Sequence, residues 1–321
     1  MQRSSIAFWA GAIAFLAVVF AMTQLLQNEY PFFAGYVILQ FIVLSVAWTI
    51  LGGYAGYVNF GTNAFFGVGV YTAVLLVQAY KAPLGVQIAV AAVVGSLLGL
   101  GVGLLTLRMR GIFFSIATIA VAIVIETTVT NWRFVGGAAG IQLQRPPVMA
   151  PFDSYVKFLF FVQALLVVVA VAITRFIQNS RIGRGLQALR DDELAAECTG
   201  VPTLRLKLLA CVISGALISA GGAPAAMYLQ YANPDSAFNL NYSVSVLAMS
   251  LIGGTAHWIG PVLGAILLGT TQQFLAVTIS SEVNLLVLGV MLVLFVVAAP
   301  KGIIGLFGKS MRSGDRSCAI S

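Results

Sequence analysis

The chain has 321 residues, of which 60% are hydrophobic and only 8% charged, and its mean hydropathy is +0.99. A water-soluble domain carries about 25% charged residues, so this composition excludes a soluble enzyme or binding module and predicts an all-α membrane protein. The formal net charge of +7 does not indicate nucleic-acid binding, because the Lys and Arg residues cluster at the ends of apolar segments rather than on one basic face.

Apolar segments of about twenty residues recur along the chain and predict a polytopic bundle of about ten transmembrane helices, a single domain over 1–321. In chain order the segments are 6–26, 35–51, 64–80, 84–107, 112–130, 156–177, 207–229, 243–256, 261–279 and 284–299. The segment 243–256 is short and broken by glycine, so it is either a plain span or a re-entrant or tilted one. Residues 1–26 are expected to be an uncleaved first helix rather than a signal peptide, because the apolar run continues to Met22.

The distribution of basic residues predicts the orientation. With a cytoplasmic N-terminus and ten crossings, thirteen of the seventeen Lys and Arg residues fall on the cytoplasmic side, as the positive-inside rule requires. Both termini, including a short tail over 308–321, are therefore expected in the cytoplasm. The three cysteines are an odd number and none falls in a predicted external loop, so no disulfide is expected.

The first distinctive stretch is glycine-rich and runs from Gly52 to Thr72, with Asn59, Thr62 and Asn63 placed close to hydrocarbon. Broken backbone at membrane depth survives only where it is buried in protein or lines a cavity. The stretch is therefore either part of a transport pathway or subunit contact, or a tight turn between two spans.

Two further features lie in the fourth and fifth segments. Small residues recur every four positions at Ala91, Gly95, Gly99 and Gly103, which predicts a flat face that lets another helix approach closely. Glu126 is the only acidic residue deep within a predicted span, and Asn131 follows at the outer end. An intramembrane carboxylate indicates a functional site; the alternative is a structural hydrogen bond to a neighbouring helix. We take Asn59, Thr62, Asn63, Glu126 and Asn131 as candidates for a substrate pathway.

One long, densely charged stretch separates apolar segments, from Asn179 to Lys207. Charges in hydrocarbon cost about 2.5–3.5 kcal/mol each, so this stretch must lie in water. Leucines and the Ala195-Ala196 pair favour a short helix, which Gly200 and Pro202 would end. The stretch is either a solvated connector or a folded loop that contacts a partner.

Several motifs carry a resemblance to a known family. The run Glu193-Leu-Ala195-Ala196-x-x-x-Gly200 resembles the Glu-Ala-Ala-x-x-x-Gly signature of membrane subunits of bacterial ABC importers, with one residue inserted after the Glu. Together with the glycine-rich stretch, Glu126 and Asn131-Trp132, and Gly253-Gly254 followed by Gly260-Pro261, it resembles the permeases of branched-chain amino acid import systems. Here Asn59 stands where Ser is common in that family, and Thr62 stands where His is common.

The resemblance implies an ATP-driven importer in the bacterial inner membrane, surrounded by lipid. Residues 178–206 would form the loop that holds the coupling helix, which docks on a cytoplasmic ATPase through Arg184, Arg190, Glu193, Ala195, Ala196 and Gly200. The implied partners are a second related permease, two ABC ATPase subunits, and a periplasmic substrate-binding protein that lands on the loops 131–155 and 230–242. ATP would be hydrolysed on those partners, so the chain itself is expected to be no enzyme and to use no cofactor or metal.

Two other functions compete with import of branched-chain amino acids. A permease of the same family for urea or short amides would carry the same motifs. An ion-coupled secondary carrier usually places charged residues near the membrane midplane. In this chain Glu126 is the only acidic residue deep within a predicted span, and it lies well away from the centre of that span.

Overall fold

The computed structural model describes residues 2–106, 109, 111–144, 152–278, 287, 289–291, 293 and 302–305. The helices are α1 (Gln2–Leu25), α2 (Tyr30–Thr49), α3 (Thr62–Tyr80), α4 (Leu84–Thr106), α5 (Ile112–Thr130), α6 (Tyr155–Asn179), α7 (Arg181–Asp191), α8 (Glu193–Cys198), α9 (Thr203–Leu229), α10 (Pro234–Ala237), α11 (Leu240–Gly253) and α12 (Ile259–Thr278). Two short strands, β1 (Ile141–Gln142) and β2 (Tyr231–Ala232), complete these elements. The predicted all-α membrane fold is confirmed.

Seven of the helices are long and apolar enough to cross a membrane, and they coincide with the first seven predicted segments. The next two segments correspond to α11 and α12. Most of the segment 284–299 and the whole tail 308–321 lie outside the described residues. At 14 residues, α11 is about 21 Å long and falls short of a hydrocarbon core of about 30 Å, as its length and glycines suggested.

The centre of the bundle is formed by α2, α3 and α9, whose most apolar stretches are 72%, 67% and 72% buried. The corresponding values for α1, α5 and α4 are 11%, 22% and 28%, so these helices lie at the periphery. The predicted face of small residues on α4 is confirmed, because Gly95 and Gly99 lie directly against the backbone of α9 at Gly215 and Cys211. The absence of side chains there allows the two helices to approach closely.

The bundle has two chemically different ends. At one end, which we call the charged end, α6 is followed directly by α7 and α8. Gln178, at the end of α6, accepts a hydrogen bond there from Trp258 N at 3.2 Å, just before α12 begins. At the other, the strand end, β1 pairs antiparallel with β2 and brings the described residues 131–144 of the loop 131–155 beside the loop 230–242. These two loops were predicted to share one side of the membrane, and they do lie together.

Candidate functional site

The charged stretch folds into two helices, where the sequence predicted one. Ser180 begins α7, and its Oγ accepts a hydrogen bond from Gly183 N at 3.3 Å. Asp192 has an extended backbone that separates α7 from α8, and its Oδ1 accepts a hydrogen bond from Ala195 N at 3.1 Å. A polar side chain at each N-cap satisfies a backbone donor that the helix leaves unpaired.

The predicted stop of the second helix is confirmed at Gly200, whose φ is +83°. Gly200 N donates to Glu197 O at 2.9 Å, and Val201 N donates to Ala196 O at 3.0 Å. This pair of bonds is the Schellman ending, which needs a left-handed residue and therefore favours glycine. Because a helix as short as α8 has little stability of its own, its position depends on these two caps.

Four of the six candidate coupling residues are exposed, namely Arg184, Arg190, Ala195 and Gly200. Arg184 and Gly200 line the same groove, of about 510 Å³, between α7 and the start of α9. Leu194 on α8 is also 60% exposed, although sequence analysis assigned it no role beyond helix formation. We call Arg184, Leu194, Ala195 and Gly200 the outer face of the loop.

Glu193 points inward and forms a largely buried ion pair. Its carboxylate lies 2.5 Å from Lys207 Nζ, and the side chains of Glu193 and Lys207 are only 16% and 4% exposed. Tyr57 O–H donates to the other carboxylate oxygen at 2.6 Å. The ammonium of Lys207 also lies 4.7 Å from the centre of the Tyr57 ring, where a cation is attracted to the ring face.

Arg190 and Ala196 also contact the body of the protein. Although Arg190 as a whole is exposed, its Nη1 donates to Gly53 O at 2.8 Å, and its side chain lies against Gly56. Ala196 is 3% exposed. The loop is therefore fastened to residues 53–57, which include the end of a π-helical turn, Ile50–Tyr54, that continues α2. Sequence analysis missed Tyr57 and Lys207 as partners, because they lie 136 and 14 residues from Glu193.

Asn59, Thr62 and Asn63 are buried within the chain, at 2%, 0% and 3% exposure. Asn59 Oδ1 accepts from Gly61 N at 2.8 Å, and the Thr62 hydroxyl donates to Asn59 O at 3.4 Å. Asn63 Nδ2 donates to Phe238 O at 2.6 Å, while its Oδ1 accepts from the Ser243 hydroxyl at 3.1 Å. These hydrogen bonds explain why a turn at this position contains polar residues. A role of the three residues in a substrate pathway stays a prediction.

Glu126 and Asn131 lie elsewhere, towards the strand end of α5. Glu126 is half-buried, and Asn131 is exposed with its Nδ2 donating to Thr127 O at 2.8 Å. Thr118 on α5 lies beside the buried group, because its hydroxyl accepts a hydrogen bond from Phe60 N at 3.2 Å, and Glu126 lies eight residues further on, about 12 Å along the helix axis. The structure therefore separates the five pathway candidates into a buried group and a peripheral pair. Among the described residues, no three His, Cys, Asp or Glu side chains are grouped to hold a metal ion.

A polytopic helical bundle with a folded, two-faced polar loop at one end is the architecture expected of a membrane transport permease. A family model described as "Branched-chain amino acid transport system / permease component" matches residues 30–296. The chain belongs to this family.

Curated relatives agree with the family match. The chain is 27% identical over 289 residues to the high-affinity branched-chain amino acid transport system permease protein LivM of Salmonella typhimurium, a match that covers 82% of this chain and 67% of the relative. It is 22% identical over 282 residues to LivH of Escherichia coli, covering 83% and 91% of the two chains. It is 28% identical over 152 residues to BraD of Pseudomonas aeruginosa, covering 47% and 48%. No solved structure matches the chain.

Proposed function

We propose that this permease is the membrane subunit of an ATP-driven importer of branched-chain amino acids in the bacterial inner membrane, with both termini cytoplasmic. The observation that carries the proposal is the folded loop of α7 and α8, which has an exposed outer face and an inner face fastened by Glu193 and Arg190. A plain connector between two spans would need neither buried ion pair nor caps.

The outer face is where a cytoplasmic ATPase docks. Leu194 supplies an exposed apolar side chain, which in a charged loop facing water is typical of a contact surface. Arg184 stands at the groove beside Gly200 and offers a guanidinium to a carboxylate of the partner. Residues 178–206 thus act as the coupling loop of a single permease domain, and ATP is hydrolysed on two partner subunits.

The inner face carries the movement into the membrane. Glu193 and Arg190 hold Tyr57 and Gly53, so a displacement of α8 pulls on the segment between α2 and α3. That segment is bonded in turn to α5, because the Ser115 hydroxyl donates to Val58 O at 2.9 Å. We assign this series of contacts as the route from the ATPase to the substrate pathway.

The peripheral helix α5 faces the pathway and the second permease. It carries the half-buried Glu126 on a helix whose apolar stretch is only 22% buried within this chain. A carboxylate left against lipid is costly, which favours coverage of this face by a related subunit or by water. The loops joined by β1 and β2 at the strand end then receive the periplasmic substrate-binding protein.

Uptake of radiolabelled leucine by cells that express the permease with its whole transport system tests the substrate class. Leucine, isoleucine and valine are expected to enter in an energy-dependent manner and to compete with one another, since the family description specifies branched-chain amino acids. Cells that lack only this permease serve as the control. Transport of urea or short amides in place of leucine would contradict the proposal.

A further inference from the structure

A second, separate cavity lies at membrane depth between α1, α2, α6 and α12. It has a volume of about 510 Å³, and its lining is almost entirely apolar. On α1 it is lined by Phe8, Gly11, Ala12 and Phe15, a spacing that places all four on one helix face. This face of α1 therefore borders the cavity instead of packing on α2.

The shape of the cavity fits a long, thin apolar molecule. Phe160 lines it towards the strand end, while Phe8 and Trp258 line it at the charged end. On α6 the lining runs from Phe160 to Val171, eleven residues or about 16 Å along the helix axis, and Arg175 lies about one turn beyond Val171. This length matches the half-thickness of a hydrocarbon core, about 15 Å, so the acyl chain of a lipid in one leaflet would fit lengthwise within it.

The charged end of the cavity supplies the chemistry of an anionic head group. The Arg175 guanidinium lies 4.3 Å from the centre of the Phe8 ring and 5.8 Å from that of Trp258. These contacts place the cation beside the two rings that line the charged end of the cavity. Trp is typical of the membrane–water interface, and a guanidinium forms strong charge-assisted hydrogen bonds to phosphate.

From this combination we infer that the cavity binds one anionic glycerophospholipid, with an acyl chain between α1 and α2 and the phosphate at Arg175. The lipid completes the packing of α1, whose apolar stretch is only 11% buried within the chain. This inference depends on the membrane setting alone and not on the transported substrate.

Gly11 allows the acyl site to be filled without disturbing the fold. A Cβ added at Gly11 would meet no other atom within 4 Å, and the same holds for Gly101 on the outer side of α4. Gly11→Phe should therefore occupy the cavity, while Gly101→Phe is the matched control on a face outside it. In native mass spectrometry of protein purified in mild detergent, we expect one bound phospholipid on the wild type and on Gly101→Phe, and loss of most of it from Gly11→Phe.

The head-group contact is tested by returning lipid to delipidated protein. Wild type is expected to bind phosphatidylglycerol over phosphatidylcholine by roughly fivefold, the factor that corresponds to about 1 kcal/mol for one basic residue near anionic lipid. Arg175→Gln should remove this preference, and Arg175→Lys should keep it.

Equal lipid retention by Gly11→Phe and Gly101→Phe would overturn the inference. So would a wild-type dimer that Gly11→Phe converts to a monomer, because the cavity would then receive a second copy of the chain. Gly11→Leu fills the same space with a smaller side chain and gives the same comparison if the phenylalanine variant is recovered in low yield.

Discussion

Lys207→Met is expected to destabilise the permease by about 3–5 kcal/mol, the usual cost of removing one partner from a buried ion pair. The Lys207 side chain is only 4% exposed, and its loss removes the ammonium that forms the ion pair with the Glu193 carboxylate. The double variant Glu193→Gln/Lys207→Met should recover most of this stability, since it removes both charges of the ion pair together. Thermal unfolding in detergent measures the change.

Arg205→Met is the matched control, because Arg205 is an exposed basic residue at the start of the same helix. A surface substitution of this kind usually changes stability by less than about 0.5 kcal/mol. If Lys207→Met and Arg205→Met unfold at the same temperature, the ion pair does not hold α8 to α9.

Gly264→Ala is the second substitution with a large expected effect. Added Cβ atoms would overlap backbone at three glycines where α11 meets α12: Gly264 against Met249 O, Gly253 against Gly260 O, and Gly260 against Gly254 O. Gly253 and Gly260 belong to the Gly253-Gly254 and Gly260-Pro261 pairs noted in the sequence, and Gly264 follows four residues after Gly260. Overpacking usually costs about 1–3 kcal/mol, and here the obstacle is rigid backbone, so we expect Gly264→Ala to reach at least that range.

The same chemical change at Gly101 should have the opposite sign. A Cβ there meets nothing within 4 Å, and replacing Gly by Ala inside a helix stabilises it by up to about 1 kcal/mol. Folded yield and thermal unfolding of the two variants are measured side by side. A Gly264→Ala protein as stable as Gly101→Ala would show that α11 and α12 are not held at this distance.

The sequence was sufficient for features that follow from local chemistry. Apolar segment length located the seven long spans, and the four-residue spacing of Gly95 and Gly99 predicted close packing without naming α9 as its partner. Gly200 before Val201-Pro202 predicted the end of α8, because few residues other than glycine adopt a left-handed backbone easily.

Features that depend on contacts between distant segments were not predictable. Asn63 is satisfied by Phe238 and Ser243 from another part of the chain, so polarity alone could not separate a turn from a pathway. Likewise Glu193 and Arg184 looked equivalent as charges on one loop, whereas one is held by Lys207 and the other is exposed. Which way a side chain faces on a short capped helix is set by tertiary packing rather than by local spacing.

The most direct test of the proposed coupling role is co-purification of the ATPase subunits with wild type, Gly200→Val and Gly200→Asn. Gly200 is exposed, has φ +83°, and has open space around its Cβ position, so valine strains the backbone without a clash, whereas asparagine tolerates this conformation. We expect Gly200→Val to remain folded and inserted but to recover far less ATPase and to lose transport-stimulated ATP hydrolysis, while Gly200→Asn behaves like wild type. Full recovery of the ATPase and full coupling in Gly200→Val would show that the loop of α7 and α8 is only a connector.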